Sequence, residues 1–260
     1  MKRYLSPIMV LALVLAGLAP AFGCSTPRST TGAGMRAAII DQLYNLQPNQ
    51  AFINEAVTIL EEYGFTVDVY QGANITVDFY KKLPDYGHRL IIFRVHSGAL
   101  RREHKSELIE GTYLLTNETY TEMKHIVEQL SERIAVTRAT EQSPYVFAVG
   151  SKFVSLSMEG LFPNTVIIMM GCSTIRFPDM ATAFIEKGAS TYLGWDASVD
   201  LGFVDKATLN LITNLCIRNM TVEESVISTR SESGADPFYN AHLWCHPPES
   251  SRLTLAELIR

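Results

Sequence analysis

Short apolar runs alternate with amphipathic stretches along most of the chain after Met35. Apolar runs bounded by turn residues predict buried strands, and apolar residues spaced three and four apart predict helices. The predicted strands are 36–40, 65–70, 89–95, 165–170 and 190–195, and the predicted helices are 49–64, 76–86, 178–187, 205–218 and 221–230. This alternation is typical of a three-layer α/β fold, a mainly parallel sheet with helices on both faces.

The segment between Ala99 and Asn164 is less regular. Its pattern predicts a hairpin at 107–116, a helix at 121–132 and a strand at 145–149. We interpret it as an inserted segment between two core strands of a single domain, residues 35–260. Long insertions of this kind commonly carry function.

The N-terminus has the residue order of an export signal. Lys2 and Arg3 precede an apolar stretch from Ile8 to Leu18, which ends in small residues and Gly23-Cys24. Gly23-Cys24 resembles a lipobox, which implies removal of a signal peptide (1–23) and lipidation of Cys24. The composition of residues 24–34, which are rich in Ser, Thr and Gly, indicates a flexible tether. We therefore expect a lipoprotein anchored on the extracytoplasmic face of the cell membrane, with simple secretion or an uncleaved anchor as alternatives.

The amino-acid composition limits the classes of protein to which this chain can belong. The chain has 260 residues, 47% hydrophobic and 19% charged, which is enough apolar material for a folded core and excludes a disordered chain. Its formal charge of -5 offers no basic excess for phosphates, so we expect no nucleic-acid partner.

If Cys24 is lipidated, three cysteines remain. Pairing of Cys216 with Cys245 would leave Cys172 free, and three unpaired thiols are equally compatible.

Four predicted strands end in polar or reactive side chains: Asp41, His96, Cys172 and Asp196. In an open parallel sheet, chemistry concentrates outside the carboxyl ends of the strands. His96 and Cys172 need only follow neighbouring strands to meet. A thiol beside an imidazole is the minimal pair for nucleophilic catalysis, and backbone amides beside Gly98 and Cys172 could hold an oxyanion.

Two short motifs carry a family resemblance. Val-His-Ser-Gly at 95–98 and Met-Gly-Cys-Ser at 170–173 resemble the arrangement in caspase-like (clan CD) cysteine peptidases, which include caspases, legumains, gingipains, separases and CHAT domains. Residues 180–189, followed by Tyr-Leu-Gly-Trp at 192–195, are similar to the pattern of CHAT and gingipain-type domains.

The resemblance implies a role for each motif residue. His96 would be the general base or proton donor and Cys172 the nucleophile, with the backbone near Ser97, Gly98 and Gly171 as the oxyanion site. The chain departs from the family at Ser97, because the family usually has glycine directly after the histidine.

Other polar residues leave alternatives open. Asp41 could cap the first helix or its loop, or belong to the site. Asp196 could orient the site, contact substrate or cap the next helix. His242, Cys245 and His246 form a weak zinc pattern, for which surface or packing roles are favoured, so we expect no metal and no cofactor.

These observations predict a membrane-anchored cysteine peptidase-like protein that cleaves peptide bonds in a peptide or protein substrate with a Cys/His dyad. The alternative is a non-catalytic surface lipoprotein that uses the same fold to bind protein or peptide. A solute-binding protein is a third possibility, disfavoured because one sheet offers no second lobe to close. For the substrate, Asp196 and Asp200 would suit a basic side chain, whereas Arg101, Arg102 and Arg176 would suit an acidic one.

Overall fold

The computed structural model describes residues 34–104 and 107–260, and the strands in that part of the chain form two sheets. The strands are β1 Arg36–Asp41, β2 Thr66–Gln71, β3 Leu90–Arg94, β4 Ser97–His104, β5 Glu107–Thr119, β6 Ile134–Thr137, β7 Val146–Gly150, β8 Thr165–Met169, β9 Ala189–Trp195 and β10 Leu243–His246. The helices are α1 Gln50–Tyr63, α2 Val77–Lys82, α3 Ile126–Leu130, α4 Ser151–Leu156, α5 Asp179–Glu186, α6 Leu201–Ile212, α7 Val222–Ser233 and α8 Leu255–Leu258.

The larger sheet is mixed but mostly parallel. Its strand order is β10-β9-β8-β3-β1-β2, and only the edge strand β10 runs antiparallel to its neighbour. The five strands predicted from apolar runs are confirmed, each bound lying within one residue of the prediction. Because the runs of β1, β3, β8 and β9 are almost wholly buried, the α/β class could be predicted from them.

Side chains alternate between two core clusters, one on each face of this sheet. Ile92 and Ile168 pack with residues of α1, α6 and α7 on one face. Phe93 and Met169 pack with residues of α2, α4 and α5 on the other. Helices therefore lie on both faces, as the sequence predicted.

The inserted segment forms the second sheet, which is wholly antiparallel with the order β4-β5-β7-β6. Leu114 and Phe147 from this sheet join the core cluster that contains Phe93, so the insertion packs against the main sheet. The predicted hairpin at 107–116 is wrong, because those residues form part of one strand, β5, paired with β4. The charged sequence of β4 hides its strand character, which depends on pairing with β5.

Two predicted helices differ most from their predicted bounds. The helix predicted at 121–132 is confined to α3, which has no buried residue and therefore no packed face to extend it. The helix predicted from residue 205 begins at Leu201, because the Asp200 carboxylate accepts a hydrogen bond from the amide of Phe203 and caps it.

The predicted signal peptide 1–23, lipidated Cys24 and tether up to residue 33 lie outside the described residues. Within the described ranges, no helix combines the length and the apolar composition needed to cross a membrane.

Candidate active site

The two motif residues follow adjacent strands in matching register. β3 and β8 are parallel neighbours with Phe93 opposite Met169, and the amide of Met170 donates to the Phe93 carbonyl at 2.9 Å. The ladder ends at this pair, and His96 and Cys172 each lie three residues beyond it along the chain. Because neighbouring strands lie about 4.8 Å apart, the two segments leave the carboxyl edge of the sheet side by side.

The loops that carry these residues are in direct contact. The Ser97 hydroxyl donates a hydrogen bond to the Cys172 carbonyl oxygen at 2.8 Å. A Cβ at Gly171 would lie 2.7 Å from the Val95 carbonyl oxygen and would overlap the Ser97 hydroxyl. Position 171 therefore requires glycine, because only a residue without a side chain lets the two loops approach this closely.

The Cys172 thiol is partly buried and lies against the loop after β9. The Val199 amide donates to Sγ at 3.5 Å, and Sγ lies 3.9 Å from the Val199 carbonyl oxygen. The residue packs against the cluster on the α1 and α6 face and forms no disulfide. The sulfur is thus held at a fixed place beside the strand end.

His96 is half-buried and is held through its backbone. Its amide donates to the Oε1 atom of Gln42 at 2.9 Å. Burial lowers the pKa of His96 from its ordinary value of 6.5, and the positive charge of Arg94 lowers it further. The imidazole is therefore neutral near neutral pH, the form that can accept a proton from a thiol.

The hydrogen bonds between β4 and β5 determine which backbone amides beside His96 remain available to bind an oxyanion. The Leu115 amide donates to the His96 carbonyl at 2.9 Å, and Gly98 is paired with Tyr113. Since hydrogen-bonded and non-bonded pairs alternate in an antiparallel ladder, the Gly98 amide is used by the ladder. The Ser97 amide instead lies on the outer edge of β4, which is an edge strand.

Asp41 belongs to a buried charge network. It is fully buried, does not cap the turn that follows it, and accepts a hydrogen bond from Arg94 at 2.8 Å. Arg94 also donates to both carboxylate oxygens of Asp205, at 2.9 and 3.0 Å. Burial opposes the charge on Arg94, yet these two carboxylates raise its pKa overall. Asp41 therefore serves as a buried partner of Arg94.

Asp196 ties the end of β9 to the segment before β10. Its Oδ1 accepts from the His242 amide at 2.8 Å, and its Oδ2 accepts from the Trp244 indole at 2.9 Å. The cap of the next helix is Asp200, so the capping role expected for Asp196 belongs to a neighbour. These bonds hold the edge strand β10 in place.

The other residues that the sequence suggested for a substrate contact, a disulfide or a metal site lie apart from one another. Arg176 is exposed and stacks on Phe177. Cys216 and Cys245 are both free, which corrects the disulfide considered for them. Among the described residues, no three His, Cys, Asp or Glu side chains are grouped closely enough to hold a metal ion.

Sequence reasoning missed two residues that shape the site. Gln42, next to Asp41, holds the His96 amide, and Val199 contacts the thiol through its backbone. Gln42 could have been found by taking both polar residues after β1. Val199 offers no such signal, because its contribution comes from main-chain atoms.

No protein-family model matches the chain, and no curated protein matches its sequence.

Proposed function

We propose that this chain is an extracytoplasmic cysteine peptidase of caspase-like architecture, with Cys172 as nucleophile and His96 as general base. The observation that carries the proposal is the parallel pairing of β3 with β8, because His96 and Cys172 each follow the carboxyl end of one of these two neighbouring strands. The bond from Ser97 to the Cys172 carbonyl supports it by tying the two loops together.

The proposed reaction uses groups that this edge provides. His96 accepts the thiol proton as Sγ of Cys172 attacks the carbonyl carbon of the scissile peptide bond. The oxyanion that forms receives hydrogen bonds from backbone amides, for which Ser97 on the outer edge of β4 is the best-placed donor. His96 then protonates the leaving amine as the C–N bond breaks. Water, deprotonated by His96, hydrolyses the thioester and restores the thiol.

The second resembling segment supports the caspase-like assignment. Residues 180–186 fall in α5, and Tyr192 to Trp195 complete β9. Gly188, which separates them, has a φ of +99°, a conformation that side chains other than glycine rarely adopt. Gly188 is therefore needed for the turn from α5 into β9, the neighbour of the strand that precedes Cys172.

A non-catalytic binding protein is the second candidate. The observation that favours it is the commitment of the Gly98 amide to the β4–β5 ladder, which removes one oxyanion donor that the resemblance implies. In that case the same edge would bind a protein or peptide without cleaving it.

Cysteine labelling distinguishes the two functions, because the chain contains its own reference thiols. Burial raises the pKa of Cys216 to about 12 and also raises the pKa of Cys245. We expect iodoacetamide to label Cys172 faster than either at pH 7, as measured by peptide mapping, and more slowly in His96→Ala. Cleavage of a mixed peptide library should be lost in Cys172→Ala. Labelling of Cys172 at the rate of Cys245, unchanged in His96→Ala, with no peptide cut, would sustain the binding protein instead.

Anchoring is a separate part of the proposal. The Gly23-Cys24 sequence and the tether that follows support a mature chain that begins at lipidated Cys24. Cys24→Ser should release the protein in soluble form, and mass spectrometry of the native N-terminus should find an acylated cysteine. An unmodified Cys24 would rule the anchor out.

A further inference from the structure

The short helix α3 exposes its apolar side chains to solvent. Ile126, Val127 and Leu130 of this helix, and Met123 in the turn before it, are all exposed, and none of the helix residues is buried. Leu130 is 83% exposed. A helix that packs on a core turns its apolar side chains inward, so the exposed apolar residues of α3 need another explanation than packing within the domain.

Two further exposed leucines lie beside the same part of the fold. Leu156 ends α4, and Leu161 follows five residues later. Lys81, near the end of α2, connects them to α3: its ammonium lies 4.0 Å from the Glu128 carboxylate, and its carbonyl accepts from the Glu159 amide at 2.7 Å. We call these six exposed side chains the apolar patch: Met123, Ile126, Val127, Leu130, Leu156 and Leu161.

The apolar patch lies at the amino edge of the main sheet, where its parallel strands begin. The segment that carries the two leucines is bound to Lys187, which stands two residues before β9: the Phe162 amide donates to the Lys187 carbonyl at 2.8 Å, and Lys187 Nζ donates to the Met158 carbonyl at 2.8 Å. His96 and Cys172 follow the opposite, carboxyl ends of the strands. The patch and the candidate active site are therefore at opposite ends of the sheet.

The described part of the chain also begins at the amino edge. Arg36 is the first residue of β1, and its guanidinium donates to the Tyr86 carbonyl at 3.0 Å, five residues beyond Lys81. The nine residues 25–33 that precede Gly34 can span at most about 30 Å. A lipid on Cys24 would therefore keep the amino edge, and the patch on it, close to the bilayer surface.

We propose that the apolar patch rests on the lipid bilayer that holds Cys24, so that the edge with His96 and Cys172 faces away from the membrane. This inference rests on the proposed lipid anchor and adds an orientation to it. Apolar side chains gain free energy when they leave water for the interfacial layer of a bilayer. A tethered patch meets the bilayer at a high effective concentration, so a small apolar area is enough.

The test uses a chain that begins at Cys24, keeps every described residue and carries Cys172→Ala. Its Cys24 thiol is coupled to a maleimide lipid in phosphatidylcholine vesicles. Burial raises the pKa of both remaining thiols, Cys216 and Cys245, which keeps them slow to react. This coupling supplies the anchor whether or not a cell lipidates Cys24.

A tryptophan introduced into the patch reports contact with lipid. Leu130→Trp should add emission that is shifted to the blue and is lost when the vesicles contain brominated phosphatidylcholine, relative to the chain without the added tryptophan. Leu46→Trp is the matched control, because Leu46 is also an exposed leucine but follows the carboxyl end of β1. Its emission should be unaffected by brominated lipid.

Charged substitutions test whether the patch itself makes the contact. Val127→Asp added to Leu130→Trp should abolish the quenching, whereas Leu46→Asp added to Leu130→Trp should leave it. An unquenched Leu130→Trp, or equal quenching of Leu46→Trp, would overturn the inference.

Two comparisons separate this inference from the proposed anchor and from another occupant. An unmodified Cys24 in cells, with quenching on the vesicles, would remove the anchor and leave the patch as a bilayer-binding surface. A lipidated Cys24 without quenching would remove the orientation alone. The uncoupled Cys24→Ser chain should sediment as a monomer. A dimer that Leu130→Asp dissociates, without quenching on vesicles, would assign the patch to a second copy of the chain and overturn the inference.

Discussion

At the residue scale, a single glycine sets the spacing of the two loops at the candidate site. Gly171 faces the Val95 carbonyl and the Ser97 hydroxyl, and the neighbouring Cys172 carbonyl accepts the Ser97 bond. Any side chain at 171 would push the loop of Cys172 away from that of His96. The catalytic proposal therefore depends on a position that itself carries no reactive group.

Gly171→Ala should lower the free energy of unfolding by about 1–3 kcal/mol, since an overpacked methyl group forces the backbone to shift. It should also slow the labelling of Cys172 relative to Cys245. Urea unfolding and peptide mapping measure the two effects. Gly98→Ala is the matched control, because a Cβ there meets no atom within 4 Å.

Combining Gly171→Ala with Ser97→Gly should recover part of the loss, because the serine side chain is one of the two obstacles and the Val95 carbonyl remains. A Gly171→Ala protein as stable as the wild type would show that the loops are not in close contact.

At the scale of elements, one buried arginine joins three of them. Arg94 ends β3 and pairs with Asp41 at the end of β1 and with Asp205 on α6, and the side chains of all three are almost fully buried. Asn49, the cap residue of α1, also donates a hydrogen bond from its side-chain amide to the Asp205 carboxylate at 2.8 Å. This network fixes the two central strand ends before the polypeptide turns toward His96.

Arg94→Met should destabilise the protein by about 3–5 kcal/mol, because it leaves two carboxylates buried without a counter-charge. Breaking the exposed pair with Lys152→Met should cost less than about 1 kcal/mol, since its partner Glu132 stays partly solvated. Urea unfolding of both variants at pH 7 makes the comparison. Equal losses in the two variants would mean that the Arg94 network is not buried.

At the scale of the whole molecule, one buried and one half-buried histidine link stability to pH. Burial lowers the pKa of His88, against the opposing hydrogen bond with Asp68. Burial, then the charge of Arg94, lowers the pKa of His96. In the unfolded chain both groups regain a pKa near 6.5, so the unfolded state binds more protons as the pH falls below that value. Acid therefore favours unfolding.

We expect the midpoint of urea unfolding to fall between pH 7.5 and pH 5.5, and to fall less in His88→Gln. A midpoint that rises on acidification would contradict the assigned directions of the His88 and His96 pKa shifts.

The main sheet could be predicted from the sequence because its strands are marked locally. Apolar runs such as 165–169 are buried on both faces, so their composition alone distinguishes them from the flanking turns. The second sheet could not be predicted from local composition in the same way. The strand character of β4 comes from pairing with β5, and charged residues there resemble a loop when taken alone.

The sequence by itself determined which residues end the central strands, and hence that His96 and Cys172 share one edge of the sheet. Only the tertiary structure decided the roles of the residues beside them. The partners of Asp41 and Asp196, namely Arg94 and Trp244, lie about 50 positions further along the chain. Local patterns record burial and strand ends, whereas contacts between distant segments exist only once the chain has folded.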